Sequence, residues 1–525
     1  MALARRLSFT IRHAPDDGRS LTRRRRRKGA GHRFQCLDPV PAAMAGGIDF
    51  LHPMDVRWTK TYIQVLSGAL MDAKPAPFVP PAPKPRAVPP STLEMMRIVY
   101  RNPLELWGEP SYNEPWISVT GVGGPLVVAN DPALIRHVLV DNARNYKMAT
   151  VRQKILRPIL RDGLLTAEGE VWKRSRKAMA PVFTPRHIFG FAGPMLRRTL
   201  EFVERYEDGA TSDIAQDMTM LTYDILAETL FSGHIAGEPG SFSHEIDRLF
   251  ETMGRVDPLD LLRAPDWLPR FTRIRGRKTM AYFRKIVTDT VAMREEWLKR
   301  DPDGAPQDFL TLLLRAEGPD GLTRAEVEDN IITFIGAGHE TTARALGWTL
   351  YCLAEAPWER EPIEAEIDAV LAREPDPAKW LDAMPLTRAA FDEALRLFPP
   401  APSINREPIE PETFNGLYIP PRAAVLVMPW VVHRHRRLWD RPDAFLPERF
   451  HPGNRERIDR FQYLPFGAGP RVCIGASFAM QEAIIALAVL MSRFRFDTTA
   501  ETKPWPVQKL TTQPQGGLPM RMTKR

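Results

Sequence analysis

The ten residues Phe466-Gly467-Ala468-Gly469-Pro470-Arg471-Val472-Cys473-Ile474-Gly475 constrain this chain more than any other segment. Glycines at 467, 469 and 475 let the backbone turn tightly and come close to a flat object. A long apolar helix is expected to begin near Gly475, which sets Cys473 at its N-terminal end. Helix N-terminal amides stabilise negative charge, so a thiol placed there is favoured as thiolate and as metal ligand. Arg471 adds a cation close to the sulfur. Taken alone, the loop also fits a buried structural cysteine beside a glycine turn. The other cysteines, Cys36 and Cys352, are distant and form neither a C-x-x-C pair nor a zinc-knuckle spacing. That points to a reducing compartment and no structural metal cluster.

Three patterns precede the loop. Leu322 to Cys352 reads as one long helix with Gly336-Ala337-Gly338-His339-Glu340-Thr341-Thr342 at its middle. Glycine and threonine are poor helix-interior residues, and a local rule broken in mid-helix directs attention to function. The Thr341 hydroxyl can bond a carbonyl one turn earlier, opening the ladder and leaving a groove beside Ala337 and Gly338 for a diatomic ligand and water. A kinked core helix fits the same residues. Glu393 and Arg396 share one face of an amphipathic helix, as a surface ion pair also would, and Pro447-Glu448-Arg449-Phe450 follows. Trp172 and Arg176 stand one turn apart on a helix made cationic by Lys173, Arg174 and Lys177. A solvated face with one buried tryptophan reads the same way.

Together these patterns, in this order, resemble the cytochrome P-450 superfamily of haem-thiolate monooxygenases, from about residue 93 to 525. The loop carries all five fixed positions of F-x-x-G-x-R-x-C-x-G. The resemblance implies Cys473 as axial thiolate ligand of haem iron, favouring O–O cleavage of bound dioxygen, with Phe466 in the same haem-binding loop. It implies Arg471, Trp172, Arg176, Arg406 and His433 on the haem propionate side, a task suited to guanidinium groups. Glu340 and Thr341 match the acid and alcohol of proton delivery, with His339 at a variable position. Glu393, Arg396 and Arg449 match the structural triad that locks the haem-loop segment. The implied fold is mainly α with small β-sheets (α+β), one large haem domain, and the implied cofactor is haem b.

The chain's net charge of +8 has a local origin: residues 1–46 hold eleven Lys and Arg against three Asp, and the remainder balances. A basic tail of this kind is no argument for nucleic acid binding by the body. It admits three readings: a transit peptide, a flexible arm toward an acidic partner or membrane surface, or sequence upstream of a true start at Met44 or Met54. Residues 47–92 are expected to be a connector, since eight of the seventeen residues from Lys74 to Pro90 are proline. Strands are expected at 117–121, 126–129, 424–428 and 494–497. The longest clean apolar run, Ala483 to Met491, is about half a membrane span, so no transmembrane segment is expected.

An oxygenase is therefore the leading reading. A peroxide-using haem enzyme or haem isomerase would not need the Glu340–Thr341 pair, a haem-based sensor would not need a proton relay, and a nucleic-acid protein would rest on the tail alone. No flavin or iron–sulfur module fits, so electrons are expected from a ferredoxin-type donor with its NAD(P)H reductase, docking on Lys173, Arg174 and Lys177. Thr333, Phe334, Ala337, Ser403 and Ile404 are the expected pocket residues, and they suit a small hydrophobic substrate such as a fatty acid, terpene or other lipid, with O2. The chain is expected to be a cytoplasmic monomer, with peripheral membrane association left open.

Overall fold

A computed structural model of the chain describes residues 75–121, 123–236, 257–261, 264–265, 267–318 and 321–525. The basic tail lies outside the described residues.

One helix organises the rest. Arg324–Glu355 starts on a capping box, in which the Thr323 hydroxyl accepts from the Glu326 amide while the Glu326 side chain accepts from the Thr323 amide. At about 1.5 Å per residue it spans roughly 48 Å, and it is buried along most of its length because apolar residues face every direction. It stays helical through Gly336–Thr342, the stretch where the sequence predicted a local opening. Gly338 permits a close approach there: a Cβ would lie 2.2 Å from Leu226 Cδ1 of the neighbouring helix Ile214–Phe231, whose side chain would have to move.

The expected strands form with small boundary shifts. The largest sheet orders Trp116–Gly121, Gly124–Ala129, Ala424–Val427, Ile404–Pro408 and Tyr146–Met148, with one parallel pairing, Leu126–Ala129 against Ala424–Val427. It brings Met148 opposite Arg406. A hairpin of Trp505–Gln508 and Thr512–Gln515 reaches back to the central helix through its turn.

The proline-rich stretch packs with later parts of the chain. From Pro77 onward it belongs to the body. The Phe445 amide donates to Phe78 O at 2.8 Å, the Phe78 ring meets Tyr351, and Arg86 N donates to Trp107 O. Prolines hold this path at little entropic cost and the Phe78 ring anchors it. Among the described residues one helix, Ala476–Arg493, is long and apolar enough to cross a membrane, and most of it is buried inside the fold.

Candidate active site

The Cys473 loop is built on a close backbone approach. Gly469 has φ +73°, and a Cβ there would sit 1.8 Å from Leu139 O. Cys473 N donates to Phe466 O at 3.0 Å, closing the loop before the helix Ala476–Arg493 begins. The Cys473 side chain is exposed, opening onto a cavity of about 390 Å³, with protein packed around the cavity walls. Desolvation by that protein raises its pKa, while the Gly475 amide and the Arg176 charge oppose the rise. Arg176, which donates to Val472 O at 3.0 Å, is thus the cation that acts on the sulfur. Arg471 was expected in that place. It instead turns to Glu168 at 2.5 Å and Ala167 O at 2.7 Å, and stacks on Trp172 at 4.6 Å.

The same cavity is lined by Phe466, Trp172, Arg176, Arg406, Thr333, Phe334, Ala337, Glu340, Thr341, Ser403 and Ile404, so the structure gathers residues separated by up to three hundred positions. The Thr341 hydroxyl donates to Ala337 O at 2.9 Å, the bond read from the sequence. Phe334 stacks on Phe183 at 5.4 Å. Glu340 is almost fully buried: its Oε1 accepts from Thr511 Oγ1 and Gln513 Nε2, each at 2.7 Å, with Arg344 at 3.7 Å. These partners lie far along the chain, and no local signal announced them. His339 does not line the cavity. Its Nδ1 meets Ile335 O at 2.6 Å, and burial pulls its pKa down to about 4, as a neutral non-ligand requires.

His433 requires correction. It is wholly buried and does not line the cavity. Its Nδ1 donates to Arg396 O at 3.1 Å and its Nε2 accepts from Leu464 N at 2.8 Å, a pairing that only the neutral Nδ1–H tautomer satisfies. Burial and the Arg396 charge hold its pKa down at about 3. It joins the clamp to the segment leading into the cysteine loop.

The clamp itself is buried. Arg396 makes two bonds to Glu393, at 2.6 and 2.7 Å, and Arg449 Nε reaches the same carboxylate at 3.3 Å. The rest of the Arg396 guanidinium donates to His433 O, Pro442 O and Ala444 O. Every N–H is used, which makes this buried charge tolerable. A second buried carboxyl was not foreseen. Glu482 is 1% exposed, neither oxygen has a partner at hydrogen-bonding geometry, and burial pushes its pKa up to about 8 against a small opposing effect of the Thr342 hydroxyl.

A thiol, an apolar chamber and a set of arginines with one tryptophan fit a flat apolar dianion ligated through sulfur, which is the donor chemistry haem b requires. A model of the cytochrome P450 family matches residues 111–520. Cyclooctatin synthase of Streptomyces melanosporofaciens is 32% identical over 407 residues, covering 76% of this chain and 86% of that protein. The chloroplastic protein LUTEIN DEFICIENT 5 of Arabidopsis thaliana is 28% identical over 433 residues, covering 76% and 70%. A crystal structure of the cytochrome P450 CYP102L1 has a TM-score of 0.69 at 25% identity, covering 85% of this chain and 100% of that one. A family match over most of the chain and a shared fold around a cavity of haem-binding chemistry lead to one conclusion: the chain belongs to the cytochrome P450 family, enzymes that carry haem b and act as monooxygenases.

Proposed function

We propose that this protein inserts one atom of O2 into a hydrophobic small molecule, with Cys473 as the residue that would hold its haem iron. The observation that carries the reading is one apolar cavity bordered both by Cys473 and by the Ala337–Thr342 turn of the central helix. Bound haem b supplies the iron at which O2 is taken up and activated. Cys473 would hold that iron, with Arg176 offsetting the thiolate charge, while Trp172, Arg176, Arg406 and Arg471 would hold the propionates. Thr341 keeps a proton on Oγ1, directed at rest to Ala337 O, and side-chain rotation presents it to the cavity. Glu340, held by Thr511 and Gln513, passes protons to it as a general acid. Apolar walls orient substrate and exclude water.

Electrons come from a separate ferredoxin-type protein served by an NAD(P)H reductase. Its docking face is narrower than the sequence suggested, because Arg174 turns onto the buried Glu326 at 2.7 Å. Lys173, whose ammonium meets Glu170 at 2.7 Å, and Lys177 stay exposed and form the remaining cationic patch. The protein works as a cytoplasmic monomer. The test is spectroscopic: the reduced carbon monoxide complex should show the band of an axial thiolate, and Cys473→His should abolish it. A thiolate band surviving that change overturns the ligand. Turnover should require ferredoxin and reductase, and turnover with NAD(P)H alone overturns the need for a donor.

A further inference from the structure

Among the described residues, four arginines line the cavity, Arg152, Arg176, Arg406 and Arg471, against one carboxylate, Glu340, which is already held by Thr511 and Gln513. Arg471 is neutralised by Glu168, and Arg176 lies beside Cys473. If iron, porphyrin ring and thiolate sum to no charge, two propionates balance Arg176 and Arg406, and Arg152 is left over. Buried charge is tolerated when it is paired.

Arg152 also stands apart in place. It belongs to the helix Thr150–Leu160, one turn beyond Met148 and one turn before Leu156, both of which line the cavity. Arg406 is acted on by Arg471, so those two lie together. Arg152 is half-buried on the cavity wall, and desolvation alone lowers its pKa to about 10, so it remains charged at neutral pH. Its neighbours on that helix face are apolar, and it forms no hydrogen bond or ion pair among the described residues.

We propose that Arg152 anchors the substrate through a carboxylate, so that the molecule oxidised is an amphipathic acid with one large apolar body. This rests on the reading of the cavity as the haem and substrate pocket of a monooxygenase. A planar guanidinium takes a carboxylate through two parallel bonds, and in an apolar chamber such a bond fixes which carbon lies deepest.

The test uses the haem-loaded full chain and measures binding by substrate-induced haem spectral shift and by calorimetry. The probes are hexadecanoic acid, a diterpene acid and a cholanic acid, each compared with its methyl ester. At least one acid should bind the native protein tenfold or more tightly than its ester. Arg152→Gln should remove that preference, weakening the acid at least tenfold with haem content and ester binding unchanged, and Arg152→Lys should restore part of it. Equal acid and ester affinities in the native protein overturn the anchor and leave the apolar pocket standing. Loss of haem from Arg152→Gln, with Lys restoring it, places Arg152 on a propionate and overturns the proposal. No binding by any acid or ester overturns both the anchor and the hydrophobic-substrate reading.

Discussion

Replacing Glu482 by Gln should remove a pH dependence of stability that the native chain carries. The carboxyl is buried without a hydrogen-bonded partner, and its pKa stands at about 8 against an ordinary value of 4.5. Below pH 4.5 the group is neutral in both folded and unfolded chains, so any stability it confers is fully present. Between 4.5 and 8 the unfolded chain ionises while the folded one holds its proton, and stability falls by about 1.4 kcal/mol per pH unit. Above 8 both states are ionised and the loss is complete. From pH 5 to pH 8 the native protein should therefore lose about 3 to 4 kcal/mol relative to Glu482→Gln. The amide also lacks a partner and brings its own cost, about 1 to 3 kcal/mol, but that cost does not change with pH. Comparing the two proteins across pH cancels it, together with every other titrating group. Urea unfolding of both haem-loaded proteins at pH 5, 6, 7 and 8, followed by tryptophan fluorescence, gives the quantity. Parallel pH curves would show that Glu482 is solvated or paired in the folded chain and would refute the reasoning.

Three further outcomes are expected. Thr341→Ala should keep haem and substrate binding but divert electrons to hydrogen peroxide, while Thr341→Ser restores coupling; an unchanged ratio of product to electrons consumed removes Thr341 from proton delivery. Glu393→Gln leaves Arg396 buried without its counter-charge, at a cost of about 3 to 5 kcal/mol, so the unfolding midpoint and haem retention should both fall, and a variant that keeps both contradicts the clamp. Reversing Lys173 and Lys177 to Glu should slow reduction by ferredoxin at low salt with the haem spectrum unaltered, because exposed charges attract within about 10 Å at 0.1 M salt; equal salt slopes in stopped-flow reduction of native and variant place the donor elsewhere.

The parts of the site legible in the sequence are those whose chemistry is local. A helical spacing paired Glu393 with Arg396, and one turn of helix joined Thr341 to the Ala337 carbonyl. What escaped was set by contacts across long stretches of chain. Glu340 is oriented by Thr511 and Gln513, which the closing hairpin delivers. Arg471 looked like the thiolate's cation because it is near in sequence, yet a guanidinium on a long stem goes where a carboxylate waits, here Glu168. His433 stood beside plausible surface residues, and only its complete burial revealed it as a link between two backbones. Arg152 and Glu482 carry no local pattern. Each becomes visible only when the groups around it are counted.

The Arg396 guanidinium ends on three main-chain oxygens, those of His433, Pro442 and Ala444. Peptide carbonyls are the same whatever side chain they carry. The chain is therefore held to a route through space, while the spelling of its exposed and half-exposed residues 440–443 is left open. Most point substitutions there should be absorbed, whereas adding or deleting one residue would move an oxygen out of register by over 3 Å, the advance of one extended residue, and would unseat the loop that presents Cys473. Variation by replacement and variation by length are thus separated at this segment.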